Sequence, residues 1–303
     1  MDSLGSREWD AIVIGTGIGG GSVGRQLAEA GLSVLFVEKG PDLGDAARDA
    51  LDIADRSPEA RLANAAWPRL LEAELDGKWF ELDGMIGAGV GGTSAFYAAT
   101  LERPERHDLE PMPSHPHPTG GWPVGYDAFR PWFELAEKNF HINGEVDPLA
   151  PEGASILPPL TDLPASDAAL MADLRRAGMH PYRTHMAARF VPGCESCFGR
   201  RCPRRCKMDG RTAGVLPALE TGRAALLDNC TVTRIEADAG TVTGLTCLRD
   251  GQPIALRAKR YILAGGGLAS PTLMRRSTSE YWPDGIGNRH DLVGRNLMFH
   301  LSE

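Results

Sequence analysis

The residues best suited to chemistry in this chain are a run of glycines, one acid and a knot of cysteines. Gly15-Thr-Gly17-Ile-Gly19-Gly20 satisfies the spacing G-x-G-x-x-G, and Glu38 follows 23 residues after Gly15. Such a loop holds phosphate rather than breaking bonds. Its first glycine permits a tight turn, its second lets a diphosphate approach the backbone, and its third lets helix and strand pack closely. Free N–H groups at the start of the following helix then face the anion. Glu38 stands where a carboxylate accepts from a ribose 2′-hydroxyl, and an acid there repels a 2′-phosphate. The pattern therefore predicts a dinucleotide site that favours FAD or NAD over NADP. Glu38-Lys39-Gly40 matches the E-x-G common in FAD enzymes, so FAD is the expected ligand.

The second candidate is Cys194-Glu-Ser-Cys197-Phe-Gly-Arg-Arg-Cys202-Pro-Arg-Arg-Cys206, spaced C-x2-C-x4-C-x3-C, while Cys230 and Cys247 stand alone. Three readings stay open. A ferredoxin-like iron–sulfur run has one gap shorter than this. Structural zinc knuckles need a longer loop between the pairs. Disulfides or packing thiols are the third. Arg200, Arg201, Arg204, Arg205 and Lys207 surround the thiols; they suit either an anionic cluster or a basic patch for an acidic electron-transfer partner. His107, His115 and His117 lie among prolines and glycines without a full ligand set, so a solvated loop is expected there.

The elements that must position these residues are legible around the first glycines. Asp10–Ile14 and Ser33–Glu38 are short apolar runs of strand type, and Ser22–Ala30 between them reads as a helix stopped by Gly31. Further on, Pro58–Leu75 reads as a surface helix. Tyr126–Asn139 reads as an amphipathic helix whose face of Phe129, Trp132, Phe133 and Ala136 belongs in a core. Helices are also expected at Ser166–Ala177 and Thr212–Leu219. Strands are expected at Thr231–Ile235, Thr241–Leu248 and Ile254–Leu263, with Gly244 as an irregularity. Arg260–Ala264 leads through Gly265, Gly266 and Gly267 into a helix from Ser270-Pro271, a second strand–glycine–helix unit returning to the same sheet. The boundaries read as 1–146 for a cofactor domain with a flavin-contacting loop, 147–227 for an excursion with the cysteines, and 228–303 for the return and the start of a substrate domain.

Composition removes several classes. With 32 Lys+Arg against 40 Asp+Glu, the net charge of −8 argues against binding nucleic acid or anionic membranes. No apolar run approaches the twenty or so residues of a spanning helix. The acidic, polar start Met1–Asp10 is no Sec-type signal, so cytoplasm is the default, with co-export to the periplasm beside a signal-bearing partner left open.

Taken in order, five blocks resemble the glucose–methanol–choline (GMC) oxidoreductases: Gly15–Glu38; Gly87-Ala-Gly-Val-Gly-Gly-Thr-Ser-Ala95; Gly121-Trp-Pro-Val-Gly-Tyr-Asp127; Leu263-Ala-Gly-Gly-Gly-Leu-Ala-Ser-Pro271; and Val293-Gly-Arg-Asn-Leu-Met-Phe-His300. The resemblance implies an α/β fold: a Rossmann-like FAD-binding domain with mixed sheet additions and part of a substrate-binding domain. It implies oxidation of an alcohol, in a sugar, glycoside or polyol, by hydride transfer to flavin. By it, Gly91, Gly92, Thr93 and Ser94 lie along the flavin and diphosphate, Val232 at the adenine end, and Ala264, Gly265 and Gly266 near the adenosine. Gly15, Gly17, Gly19, Gly20, Glu38 and Lys39 complete the expected set.

Members of this family are roughly half again to twice this length, and their catalytic His, with a His or Asn partner, lies near the C-terminus. The C-terminal part of the fold is thus expected to be missing here, and no catalytic residue is assigned. His290 and His300 read as structural. The chain is then either part of an enzyme or a split half or non-catalytic FAD-binding subunit needing a partner chain. Some sugar dehydrogenases of the family carry a three-iron cluster in the cysteine stretch, passing electrons to a cytochrome subunit. The resemblance matches Cys197, Cys202 and Cys206 to its ligands and leaves Cys194 as a fourth ligand or bystander.

Overall fold

The fold begins with chain segments too apolar to face water on either side. The computed structural model describes residues 5, 7–45, 57–82, 84, 86–150, 152–153, 157 and 161–298. In chain order its elements are β1 (Ala11–Ile14), α1 (Ile18–Glu29), β2 (Val34–Val37), α2 (Pro58–Ala63), β3 (Leu71–Leu75), β4 (Lys78–Leu82), α3 (Tyr126–Asn139), β5 (Ile142–Asn143), α4 (Ala165–Arg176), β6 (Met186–Ala187), α5 (Leu216–Glu220), β7 (Ala224–Leu227), β8 (Cys230–Ala237), β9 (Val242–Arg249), β10 (Gln252–Leu256), β11 (Tyr261–Leu263) and α6 (Gly266–Arg276). They form two compact units. One comprises Met1–Phe96, Gly199–Pro203 and Asp209–Glu303; the other comprises Tyr97–Phe198 and Arg204–Met208.

In the first unit, β11-β1-β2-β7 make a parallel sheet, with Ile12 opposite both Leu35 and Tyr261, and Phe36 opposite Leu226. Every residue of β1 and β2 is buried. Alternate side chains explain why. Ile12, Ile14, Leu35 and Val37 pack with Cys230, Ile235, Leu245, Cys247 and Leu256 of the antiparallel sheet β10-β9-β8. Val13, Val34 and Phe36 point the other way, onto Ala28, Val90, Val215 and Ala218. A parallel sheet covered on both faces reads as unbroken apolar runs, and each such side chain contributes about 1.5–3 kcal/mol on burial. The second strand–glycine–helix segment does return to this sheet, as β11 beside β1.

In the second unit, α3 runs Tyr126–Asn139 as its periodicity predicts, but its buried positions differ from the expected stripe. Tyr126 and Glu137 are buried, whereas Trp132 is 64% exposed and Ala136 is exposed. The helix turns this face inward because Arg103 binds Glu137 through two bonds, Nε–Oε1 at 2.8 Å and Nη2–Oε2 at 2.7 Å. The same guanidinium lies 5.8 Å from the Phe133 ring. Short strands β5 and β6 pair antiparallel, and the buried Asn143 amide donates to the carbonyls of Met186 and Ala188.

Two other expectations are corrected. The Pro58–Leu75 helix ends at Ala63, capped at its start by Ser57, and Leu71–Leu75 is instead half of a hairpin with β4. Asp76 and Gly77 both take positive φ in the two-residue turn, and the alternation Leu71-Glu-Ala-Glu-Leu75 has a strand's period. The last helix starts at Gly266, so Pro271 lies inside it rather than at its first turn. Thr212–Leu219 forms as a π-helical turn, Gly210–Val215, running into α5.

Candidate functional site

The glycines of the first loop fall into two kinds. Gly15 has φ +98°, and a methyl group there would come within 2.5 Å of Ala264 O; one on Gly20 would overlap Gly15 O. These two are glycine because backbone meets backbone. Gly17 and Gly19, by contrast, have no neighbouring atom among the described residues where a side chain would stand. Gly17 caps α1, which starts four residues earlier than expected, so Gly19, Gly20 and Gly21 form its first turn. No acid occupies that turn, leaving the positive end of the helix uncompensated. An open face beside bare N–H groups fits a diphosphate.

A second loop backs this one. Gly91 and Gly92 take positive φ, and Gly92 approaches so closely that a methyl group there would sit 3.0 Å from Gly17 Cα. Thr16, fully buried, ties three segments through one hydroxyl. Its Oγ1 donates to Glu38 Oε2 at 2.7 Å and accepts from the Gly91 N–H at 3.2 Å. Ser94 Oγ donates to Gly91 O and accepts from the Gly210 N–H, while Thr93 Oγ1 accepts from the Gly87 N–H.

Glu38 ends β2 as predicted, buried, with Oε2 also accepting from the Thr16 N–H and Oε1 from the Lys39 N–H. Burial pushes its carboxyl above the ordinary glutamate range, against the pull of the Thr16 bonds. Burial lowers the Lys39 ammonium, whose Nζ lies 3.9 Å over the Trp67 ring. Ala264 reaches the first loop directly, and Gly265 and Gly266 open α6. Val232 is half-buried against the apolar core.

Sequence reasoning missed the third wall. Gly210 and Gly214 of the π-helical turn pack onto Gly17 and Gly21 of α1: a methyl group on Gly210 would sit 2.5 Å from Gly17 C, and one on Gly214 would overlap Gly21. Asp209 caps this turn through the Thr212 N–H, and the buried Arg211 binds Asp42 and Asp45. The available signal was the matched spacing, glycine four residues from glycine in both segments.

Among the described residues, no group of three or more His, Cys, Asp or Glu side chains is placed to hold a metal ion, so the iron–sulfur expectation for Cys197, Cys202 and Cys206, with Cys194, gains no support from the structure. The Cys206 carbonyl accepts from the Arg189 N–H, and its neighbour Lys207 bridges Ala188, which fixes the Cys206 sulfur beside Cys194. Lys207 Nζ donates to the carbonyls of Tyr97 and Cys197.

The histidines are also placed. His107 stacks on His115, and His117 Nδ1 accepts from the Thr119 N–H. His290 is exposed, and His300 lies outside the described residues. Val293–His300 is therefore described only through Met298.

Comparison with known proteins agrees with this architecture. The GMC oxidoreductase family model matches residues 9–302. The chain is 30% identical to 6'''-hydroxyparomomycin C oxidase of Streptomyces lividus over 98% of its own length and 55% of the relative's. It is 26% identical to the fructose dehydrogenase large subunit of Gluconobacter japonicus over 96% and 58%. The chain thus spans about half the length of the curated relatives it matches. The crystal structure of pyridoxine 4-oxidase from Mesorbium loti shares the fold, with a TM-score of 0.58 at 18% identity over 89% of this chain and 52% of that one. With the sheet, the glycine loops and these matches in agreement, the chain belongs to the GMC oxidoreductase family.

Proposed function

We propose that this chain binds FAD in the glycine cradle and serves as the cofactor-binding part of an enzyme that oxidises a hydroxyl group of a sugar, glycoside or polyol. The observation that carries the reading is the open face at Gly17 and Gly19 at the bare start of α1. Bound FAD supplies a two-electron acceptor for the hydride of the alcohol carbon. The chain's own residues do the holding. The first turn of α1 presents N–H groups to the diphosphate, and Glu38, fixed by Thr16 and the Lys39 N–H, keeps its remaining lone pairs for ribose hydroxyls. Gly91 and Gly92, with Thr93 and Ser94, brace the loop from behind.

Support for the substrate class comes from relatives described as paromamine 6'-oxidase, fructose dehydrogenase large subunit and 2-methyl-1,2-propanediol dehydrogenase. A partner subunit is part of the proposal only through the large-subunit relative. Alcohol oxidation also needs an acceptor for the hydroxyl proton. We assign that role to no histidine described here, since His185 spends both ring nitrogens on Glu102 and the Glu145 carbonyl and His290 is exposed. No iron–sulfur relay is included, because that reading rests on the cysteine spacing and the family resemblance alone.

The test is calorimetric titration of the purified chain with FAD and separately with NAD. Saturable 1:1 binding of FAD supports the reading, and its absence ends it. Bound flavin that no sugar or polyol reduces, even in a chain extended to the relatives' length, favours a non-catalytic FAD-binding subunit.

A further inference from the structure

The cysteine segment carries a pattern that the flavin reading does not use. Cys206 S–H donates to Cys194 Sγ, with the sulfurs 3.7 Å apart, and the Ser196 N–H donates to the same Cys194 sulfur at 3.4 Å. Cys194 thus lies at the centre of the contact, with the Cys206 sulfur and the Ser196 N–H both directed at its sulfur. Cys194 is half-exposed, whereas Cys206 is buried. Two left-handed residues, Gly193 and Ser196, fold the chain sharply on either side of Cys194, and Arg205 does the same just before Cys206. Arg204 closes the bend by donating to Gly193 O. Cys206 is anchored through its carbonyl to Arg189, with its neighbours Lys207 and Met208 laddered to Ala188 and Ala187. An anchored, buried thiol next to a reachable one is the arrangement of a resolving and an attacking cysteine.

We propose that Cys194 and Cys206 form a reversible disulfide when the protein meets hydrogen peroxide, with Cys194 attacking and Cys206 resolving. The Cys194 thiolate attacks one peroxide oxygen. The O–O bond breaks, an S–O bond forms, and the departing hydroxide takes a proton to become water. The Cys206 thiol then gives up its proton and attacks the sulfenic sulfur. The S–O bond breaks, the S–S bond forms, and the second water leaves. One peroxide is reduced to two waters while two thiols become one disulfide. Forming the bond brings the sulfurs from 3.7 Å to about 2.05 Å. The bond closes a loop that contains Cys197 and Cys202, cross-linking residues twelve apart. Cys230 and Cys247, fully buried in the core of the first unit, serve as internal controls that peroxide does not reach in the native protein.

The experiment uses the whole chain, purified without reductant, assayed for zinc and iron, and treated with hydrogen peroxide. Remaining thiols are alkylated under denaturing conditions, and peptides are mapped by non-reducing mass spectrometry. The expected result is loss of two of the six thiols, a single cross-link between Cys194 and Cys206, and full recovery with dithiothreitol. Cys194→Ser slows peroxide-dependent thiol loss at least about tenfold. Cys206→Ser leaves Cys194 as a sulfenic acid that dimedone traps. Six thiols surviving peroxide, a cross-link from either residue to Cys197 or Cys202, or stoichiometric zinc or iron in the purified protein overturns the proposal.

Discussion

Inside, each of the two units coheres by a means opposite to the other's. The cofactor unit is built where side chains are absent: Gly15 on Ala264, Gly20 on Gly15, Gly210 on Gly17 and Gly214 on Gly21, around a sheet whose central strands are wholly apolar. The second unit buries charge and amide instead. Arg103 grips Glu137, Asn143 serves two carbonyls, and His185 bridges Glu102 and the Glu145 carbonyl, beside a small apolar set that includes Leu109, Tyr126, Phe140 and Ile142. Backbone packed on backbone tolerates no added atom, whereas a buried ion pair tolerates no lost partner. The difference tells where each unit is brittle.

Adding one methyl group is the harshest way to break the first arrangement. Gly20→Ala drives a Cβ into Gly15 O, and we expect the cofactor unit to fail to fold, seen as loss of its cooperative thermal transition. Gly17→Ala sharpens the point. Its methyl enters open space, so apo stability stays within about 1 kcal/mol while FAD affinity falls at least about tenfold. Equal loss of both would show that the open face is not a ligand face.

Removing one charge is the corresponding injury to the second unit. Glu137→Ala strands the Arg103 guanidinium in a dry setting, where breaking a buried pair costs about 3–5 kcal/mol. Hydrogen exchange over residues 126–143 should rise accordingly. Unchanged protection there would mean that the pair is not what turns α3 inward.

Glu38 lies between the two styles, a charge inside the glycine-built unit. Its folded carboxyl holds its proton more tightly than the ordinary 4.5, so its contribution to stability is full below that value and is lost as pH rises through the raised one. Glu38→Gln should flatten that part of the apo stability profile and weaken FAD by about tenfold through the lost ribose acceptor. The smallest effect belongs to Trp132→Ala. That side chain is exposed, so stability should move by no more than about 0.5 kcal/mol, while a core residue would cost several times more.

What could be read along the chain was the part encoded by neighbours. The run Asp10–Ile14, the glycines after it and Glu38 lie within thirty residues, so local period and spacing carry them. The hairpin was also written locally, in the alternation from Leu71 and in Asp76-Gly77, but Leu62, Ala65, Ala66 and Leu70 gave a competing helical period. Trp132 misled because an aromatic stripe says nothing about which side the tertiary contacts cover.

The amino-acid order by itself determined the first strand–glycine–helix–strand unit and the candidate ligand loop, because each depends on residues close enough in the chain to share one strand, turn or helix, and it marked the family through glycine-rich blocks that recur in order along the chain. Only the tertiary structure decided that Gly210 and Gly214 seat on Gly17 and Gly21, that Arg103 rather than an aromatic face orients α3, and that Cys206 lies beside Cys194. Those outcomes depend on pairs separated by as many as 193 residues, where fit between surfaces rather than period along the chain selects the partner.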